Sequence, residues 1–318
     1  MVVNHQSSLL ALNQFDGKNA IVDLQTLRLA RTLPARDGST AAAMSFMPDG
    51  RTLVTGGVNG RVSFWDVSSG RVTRTLRFAP PVWWTAASPD GKLLAVQTGP
   101  AHGSDIEVVR IATGAVLQRH TLPHAPAGVE FSHDGRELVA LGCCTASASM
   151  LAAWDVRSGQ QLFDLGDLNA NAFDIAPGSE LLGVGTEGGQ VLLLDPRTGR
   201  QTAPKIQVAT GDVGQISFSP DGRSYAVGSQ DGTASVWDVR SGTRVGNPYV
   251  SPDAIPQVVF EPNGRLLIEN LTTAIEWPMN VETWEQFACR VAGRNLTRAE
   301  WHDALPNRAY RPTCPAGT

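Results

Sequence analysis

The residues that could do chemistry are few and scattered. His102 and Asp105 share the polar stretch Thr98–Asp105, and His124 stands in a second polar stretch after the next apolar run. Two imidazoles and a carboxylate could exchange a proton or hold a divalent cation. None of the six histidines, however, forms His-x-x-x-His or a Glu-containing zinc pattern. His133 takes the place of a proline in a turn and reads as structural. Gly183-Val184-Gly185-Thr186-Glu187-Gly188 matches Gly-x-Gly-x-x-Gly, but strand-forming sequence stands on both sides of it. A dinucleotide site needs a helix after the glycines to meet the phosphates, so this stretch reads as a turn between strands. Cys143 and Cys144 are adjacent near the end of an extended run. Neighbours on a strand point to opposite faces, which opposes joint metal binding and favours small buried side chains. No Gly-x-Ser-x-Gly elbow and no phosphate-binding Walker loop occurs. No cofactor and no metal is expected.

The other conspicuous residues are Trp83 and Trp84, which follow Pro80-Pro81-Val82 where a loop enters a strand. The same positions of a later stretch hold Gly214-Gln215. Paired indoles in place of small or polar residues suit either the anchoring of a partner protein or the filling of a wide gap.

These residues are positioned by a repeat. Phe218–Gly242 reads as strand end, tight turn (Ser219-Pro220-Asp221-Gly222), strand, turn (Gln230-Asp231-Gly232), strand, and a closing turn through Asp238, Ser241 and Gly242. The third strand of this unit ends in Trp237-Asp238, with equivalents at Val22-Asp23, Trp65-Asp66, Val109-Arg110, Trp154-Asp155, Leu194-Asp195 and Trp277-Pro278. The steps between them are 43, 44, 45, 40, 43 and 40 residues. Four short strands at that period predict an all-β fold, a seven-bladed β-propeller. The 32 glycines and 20 prolines suit its many turns.

The units resemble the WD-repeat family, over about Ser8–Met279. That resemblance implies the propeller strongly and function weakly, because the family serves many roles. The Gly-His pair usual before the first strand of a WD unit is missing from every unit here, so the blades are expected to rely more on apolar packing than on a histidine-centred hydrogen-bond network. The first unit begins at its second strand, and the seventh lacks sequence for a fourth. Two strands are thus missing, and Met1–Ser7 can supply one. The expectation is a chain that resembles the C-terminal part of a longer polypeptide, or a ring that closes imperfectly.

Residues 280–318 change character and predict a short helical tail, a second region after the propeller at 1–279. Thr297-Arg298-Ala299-Glu300 is a capping box, with Leu296 and Trp301 as its hydrophobic staple. Trp284, Phe287 and Trp301 are expected to dock the tail on the last blade. Cys289 and Cys314 bracket it and are either two free thiols or a disulfide closing a loop of about 24 residues. The tail, from Ala288 to Trp301 and again at Arg311–Pro315, resembles that of large actinobacterial WD-repeat proteins, which often carry an upstream signalling NTPase module.

With 26 basic and 30 acidic residues, a formal charge of −4 and no dense Lys/Arg run, a nucleic-acid partner is not expected. No apolar run reaches the roughly 18 residues of a membrane span, and Met1–Gln6 lacks the pattern of a signal peptide. The expectation is a cytoplasmic, monomeric ring that binds proteins as a scaffold or sensor, through Trp83, Trp84, His102, Asp105 and His124. The alternative is a lactonase-like propeller hydrolase with its site in the axial funnel.

Overall fold

The computed structural model describes residues 2–4, 9–13, 18–26, 28–34, 41–100, 103–145, 148–166, 168–178, 181–251, 255–270, 273–279, 289, 294–304, 308–312 and 314. It is a seven-bladed β-propeller, nearly all sheet, with one short helix near the C-terminus. Blade one is β1 (Val2–Asn4), β2 (Leu9–Asn13), β3 (Asn19–Asp23) and β4 (Arg28–Leu33). Blade two is β5 (Ala41–Phe46), β6 (Thr52–Gly57), β7 (Arg61–Asp66) and β8 (Arg71–Arg77). Blade three is β9 (Val82–Ala87), β10 (Leu93–Thr98), β11 (Ser104–Arg110) and β12 (Ala115–Leu122). Blade four is β13 (Ala125–Phe131), β14 (Glu137–Thr145), β15 (Ala148–Asp155) and β16 (Gln161–Gly166). Blade five is β17 (Ala170–Ile175), β18 (Leu182–Thr186), β19 (Gln190–Leu194) and β20 (Ile206–Gln207). Blade six is β21 (Val213–Phe218), β22 (Ser224–Ser229), β23 (Thr233–Asp238) and β24 (Arg244–Val250). Blade seven is β25 (Gln257–Phe260), β26 (Leu266–Glu269) and β27 (Ala274–Trp277). Every blade is an antiparallel meander in chain order, and the first strands of neighbouring blades lie side by side at the centre.

Local chemistry fixes these hairpins. In the turns after the first strands, an Asp side chain accepts the N–H two residues on: Asp49 from Arg51 at 2.8 Å, Asp90 from Lys92 at 3.0 Å, Asp134 from Arg136 at 3.0 Å and Asp221 from Arg223 at 3.1 Å. In the turns after the third strands, Asp66, Asp155 and Asp238 each accept an N–H three residues on, at 2.7 Å. Gly222 closes its turn at φ +66°, where a side chain would be strained. We call the face carrying these turns the lower face, and the face carrying the links between blades the upper face.

The core is a series of apolar layers between blades. Ile106, Val108 and Leu122 of blade three, for example, pack on Phe131, Leu138 and Trp154 of blade four. Gly185 is where blades five and six press closest, since a Cβ there would collide with Val213. Two indole N–H groups at the ends of third strands find hydroxyls within their own blades: Trp65 donates to Thr55 Oγ1 at 2.9 Å and Trp237 to Ser235 Oγ at 2.9 Å.

Among the described residues, no strand is shared between blades one and seven. The N-terminal segment supplies the first strand of its own blade, β1 paired with β2, and blade seven has three strands among the described residues. The seam between them is a small apolar layer of Val3, Leu10 and Leu24 against Leu267, with Val259 partly buried beside them. Among the described residues, it has four buried members, against eleven between blades three and four. Leu267→Ala is therefore expected to cost about 2–5 kcal/mol, as burial of a fully packed leucine implies, read as a lower denaturation midpoint. A cost near zero would mean that the seam carries no load.

Candidate functional site

The upper face carries the feature that distinguishes one blade from the others. In blades two to six the first strand has a β-bulge near its start, at the same place in each. The inserted residues are Ala42, Trp83, Ala127, Asn171 and Gly214, and the residues after them are Ala43, Trp84, Gly128, Ala172 and Gln215. A bulge re-aims the side chains of its strand. At these two positions, then, one blade carries two exposed indoles where the other four carry small or polar residues. Trp83 is 39% exposed and Trp84 45%. Trp83 donates its indole N–H to the Gly99 carbonyl at 2.9 Å, which holds the ring in place. Val58, in the hairpin turn of blade two, and Pro80 are also exposed on this face, and Gly60 of that turn lies against the backbone of Phe78 and Pro80.

The other residues expected at this face are spread apart. Asp105, at the start of β11, is exposed and accepts a hydrogen bond from Thr121 Oγ1 at 3.0 Å. Its strand is two places out from the strand of the indoles. His124 is half-buried in the link between blades three and four, with its Cβ close to Gly142. His102 lies outside the described residues, as do Trp284 and Phe287. Among the described residues no group of three or more His, Cys, Asp or Glu is placed to hold a metal ion. The Gly183–Gly188 stretch is the end of β18 and its turn into β19, strand to strand.

Two carboxyl groups that sequence reasoning passed over sit between blades four, five and six. Glu130 and Asp174 occupy the same place in β13 and β17, next to the last residue, where the other blades carry Ser45, Ala86, Ser217 and Val259. Each reaches the inner edge of the next blade. Asp174 accepts the Phe218 N–H at 2.6 Å, as Ser217 accepts the Phe260 N–H at 3.1 Å. Burial raises the Asp174 carboxyl to about 7. Burial, and then the charge of Asp174, raise Glu130 well above its usual range. A charged residue breaking a serine-or-apolar position of the repeat was the signal available in the sequence. Gln97 makes the corresponding bridge higher up, donating to the Leu141 carbonyl at 3.0 Å and accepting the Gly128 N–H at 3.1 Å.

On the lower face, a cleft of about 230 Å³ opens between blades four and five, lined by His133, Asp134, Glu137 and Arg197 among others. Its charges are spent on each other: Arg197 Nε meets the buried Glu137 carboxylate at 2.7 Å. The tail behaves as its capping box implies. Thr297 Oγ1 accepts the Glu300 N–H at 3.2 Å and Glu300 accepts the Thr297 N–H at 2.8 Å, at the start of α1 (Arg298–Ala304). Trp301 is buried, donates to the Arg308 carbonyl at 2.9 Å and stands edge-on to Tyr310, while Leu296 is 37% exposed. Cys289 and Cys314 form a disulfide. Cys143 is buried and also disulfide-bonded, so it is not a free thiol.

The carboxyl pair makes stability depend on pH. A carboxyl whose folded pKa is raised binds its proton more tightly in the folded state, so its stabilisation is present below the unfolded value and is lost as pH rises through about 7. Glu130 acts in the same direction. The melting temperature is expected to fall between pH 5 and pH 8, and Asp174→Asn, which keeps an acceptor for the Phe218 N–H, to flatten that fall. Parallel melting curves of the two proteins across this range would contradict the assignment.

Comparison with known proteins agrees with this geometry. The family model "WD domain, G-beta repeat" matches residues 28–66 and 204–238. A guanine nucleotide-binding protein subunit beta from Oryza sativa subsp. indica is 23% identical over 265 residues, covering 74% of this chain and 67% of that protein. WD repeat-containing protein 90 from Xenopus tropicalis is 25% identical over 283 residues, covering 82% of this chain but 15% of that protein. Among solved structures, the Cps50 (Swd1) β-propeller domain from Myceliophteria thermophila superposes with a TM-score of 0.70 at 20% identity, over 86% of this chain and 93% of that one. A chain of a mitotic checkpoint complex gives 0.71 at 18% identity, over 84% and 82%. The chain is a seven-bladed β-propeller, and two stretches of it match the WD domain, G-beta repeat model.

Proposed function

We propose that this ring is a non-catalytic protein-interaction scaffold or sensor module that acts as a monomer through its upper face. The observation that carries the reading is the exposed Trp83–Trp84 pair, because indoles are costly to leave in water and are the side chains most enriched at interface hot spots. A closed ring of packed sheets holds such a pair at fixed distances from the surrounding loops, so little ordering is lost on binding. The similarity to a G-protein β subunit and to a member of a checkpoint complex supports a role in assembly. The finer expectation, a place beside a signalling NTPase, rests on the resemblance of the tail alone. A cytoplasmic location rests on sequence features, and the Cys289–Cys314 bridge favours an oxidising one.

Affinity capture from host lysate tests the reading, comparing the wild type with a Trp83→Ala/Trp84→Ala variant whose fold has been verified by melting. A protein recovered by the wild type and lost, by tenfold or more, with the variant is the expected outcome. Equal recovery by both would remove the site from this face.

A further inference from the structure

We propose that the Trp83–Trp84 surface takes a proline-containing segment of a partner protein in the polyproline II conformation, with basic residues flanking the prolines on the side of blades four to six. This rests on the reading of the ring as an interaction module and names the chemistry of what it holds. The two indoles are not equivalent. Trp83 has its N–H committed to Gly99, whereas the Trp84 indole makes no hydrogen bond among the described residues and is 45% exposed. The surface therefore offers two aromatic faces and one indole donor.

That combination discriminates between peptide conformations. A helix has spent its carbonyl groups on its own N–H groups, except at its last turn. A polyproline II segment makes no internal hydrogen bonds, so its carbonyls are open to an indole N–H while its proline rings lie on the aromatic faces. Such a segment is also stiff before it binds, so ordering costs little. The exposure of the two rings, 39% and 45%, leaves their faces open to such a segment.

Charge gives the segment its second property. From blade three round to blade six, the described upper face carries the carboxylates of Asp105, at the start of β11, and of Glu187, Asp212 and Asp231 in its loops, and those loops carry no Lys or Arg, whereas on the other side of the indoles blade two ends at this face in Arg61 and Arg77. Asp212 accepts the Gly188 N–H at 2.9 Å and Asp231 the Thr210 N–H at 2.8 Å. Hydrogen bonds from Thr233 and Thr210 outweigh burial and hold the Asp231 carboxyl well below the usual range, so it stays ionised. A segment anchored by its prolines on blade three and continuing round this arc is met by negative charge, so Lys or Arg there are favoured and Asp or Glu are repelled.

Fluorescence anisotropy with four labelled peptides tests this on the full chain: a proline-rich peptide with an Arg-containing flank, the same peptide with Gly for Pro, the same with Glu for Arg, and an amphipathic helical peptide. The first is expected to bind most tightly, and more weakly as salt is raised. Trp84→Phe keeps a ring and loses the donor, and is expected to weaken binding about fivefold, the loss of one hydrogen bond of about 1 kcal/mol. Trp83→Ala/Trp84→Ala is expected to weaken it by more than tenfold. Equal binding of the Gly peptide, preference for the helical peptide, or no binding of the first peptide at concentrations up to about 1 mM overturns the proposal. A wild-type capture that is lost in the double variant, alongside any of these, would leave the interaction module standing and remove only the polyproline segment. Equal binding of the Glu peptide overturns the charge assignment.

Discussion

An isolated four-stranded blade has two apolar faces and one inner strand edge that water cannot serve well. Face-to-face burial against the next blade deals with the faces, and everything else in this structure depends on it. The inner edges are served by side chains reaching across from the preceding blade: Asp174 to Phe218, Ser217 to Phe260 and Gln97 to Gly128. These bonds hold only while the faces stay packed, because each spans two separate sheets. Where the reaching residue is a carboxylate, burial exacts a cost that protonation relieves, and the ring becomes sensitive to pH.

The same packing sets up the upper face. The bulge near the start of the first strands recurs in five blades, so the repeat itself sets two adjacent residues of each of these strands at the upper end of the blade. Four blades fill those positions with small or polar residues and one with tryptophans. On the proposed reading, function is introduced by substitution at a position the repeat already carries, with no change to the backbone plan. The Trp83 bond to Gly99 turns one of those residues into a fixed wall rather than a mobile side chain.

Much of this was legible in the sequence. The seven-fold period, the Pro-Asp-Gly turns and the Trp-Asp endings gave the blades, because each is a local signal repeated. The Thr297–Glu300 capping box is likewise local, and it forms. What was not legible is what depends on pairs of blades. Nothing local in Glu130 or Asp174 says that the two approach each other, since 44 residues and a whole blade separate them. The spread of Asp105 and His124 is of the same kind. Sequence places both in loops on one face, but the number of strands between them and the indoles is a matter of sheet order. The seam between blades one and seven was read as a deficit of strands; the structure shows it as an apolar contact without a strand in common.

That seam has the smallest apolar layer between blades among the described residues. Native-state hydrogen exchange measures this directly. The amides of β2, β3 and β26 are expected to exchange through a partial opening of lower free energy than those of the central strands of blades three to six, which open only with the whole ring. Protection at the seam equal to that of the central blades would contradict closure by face packing alone.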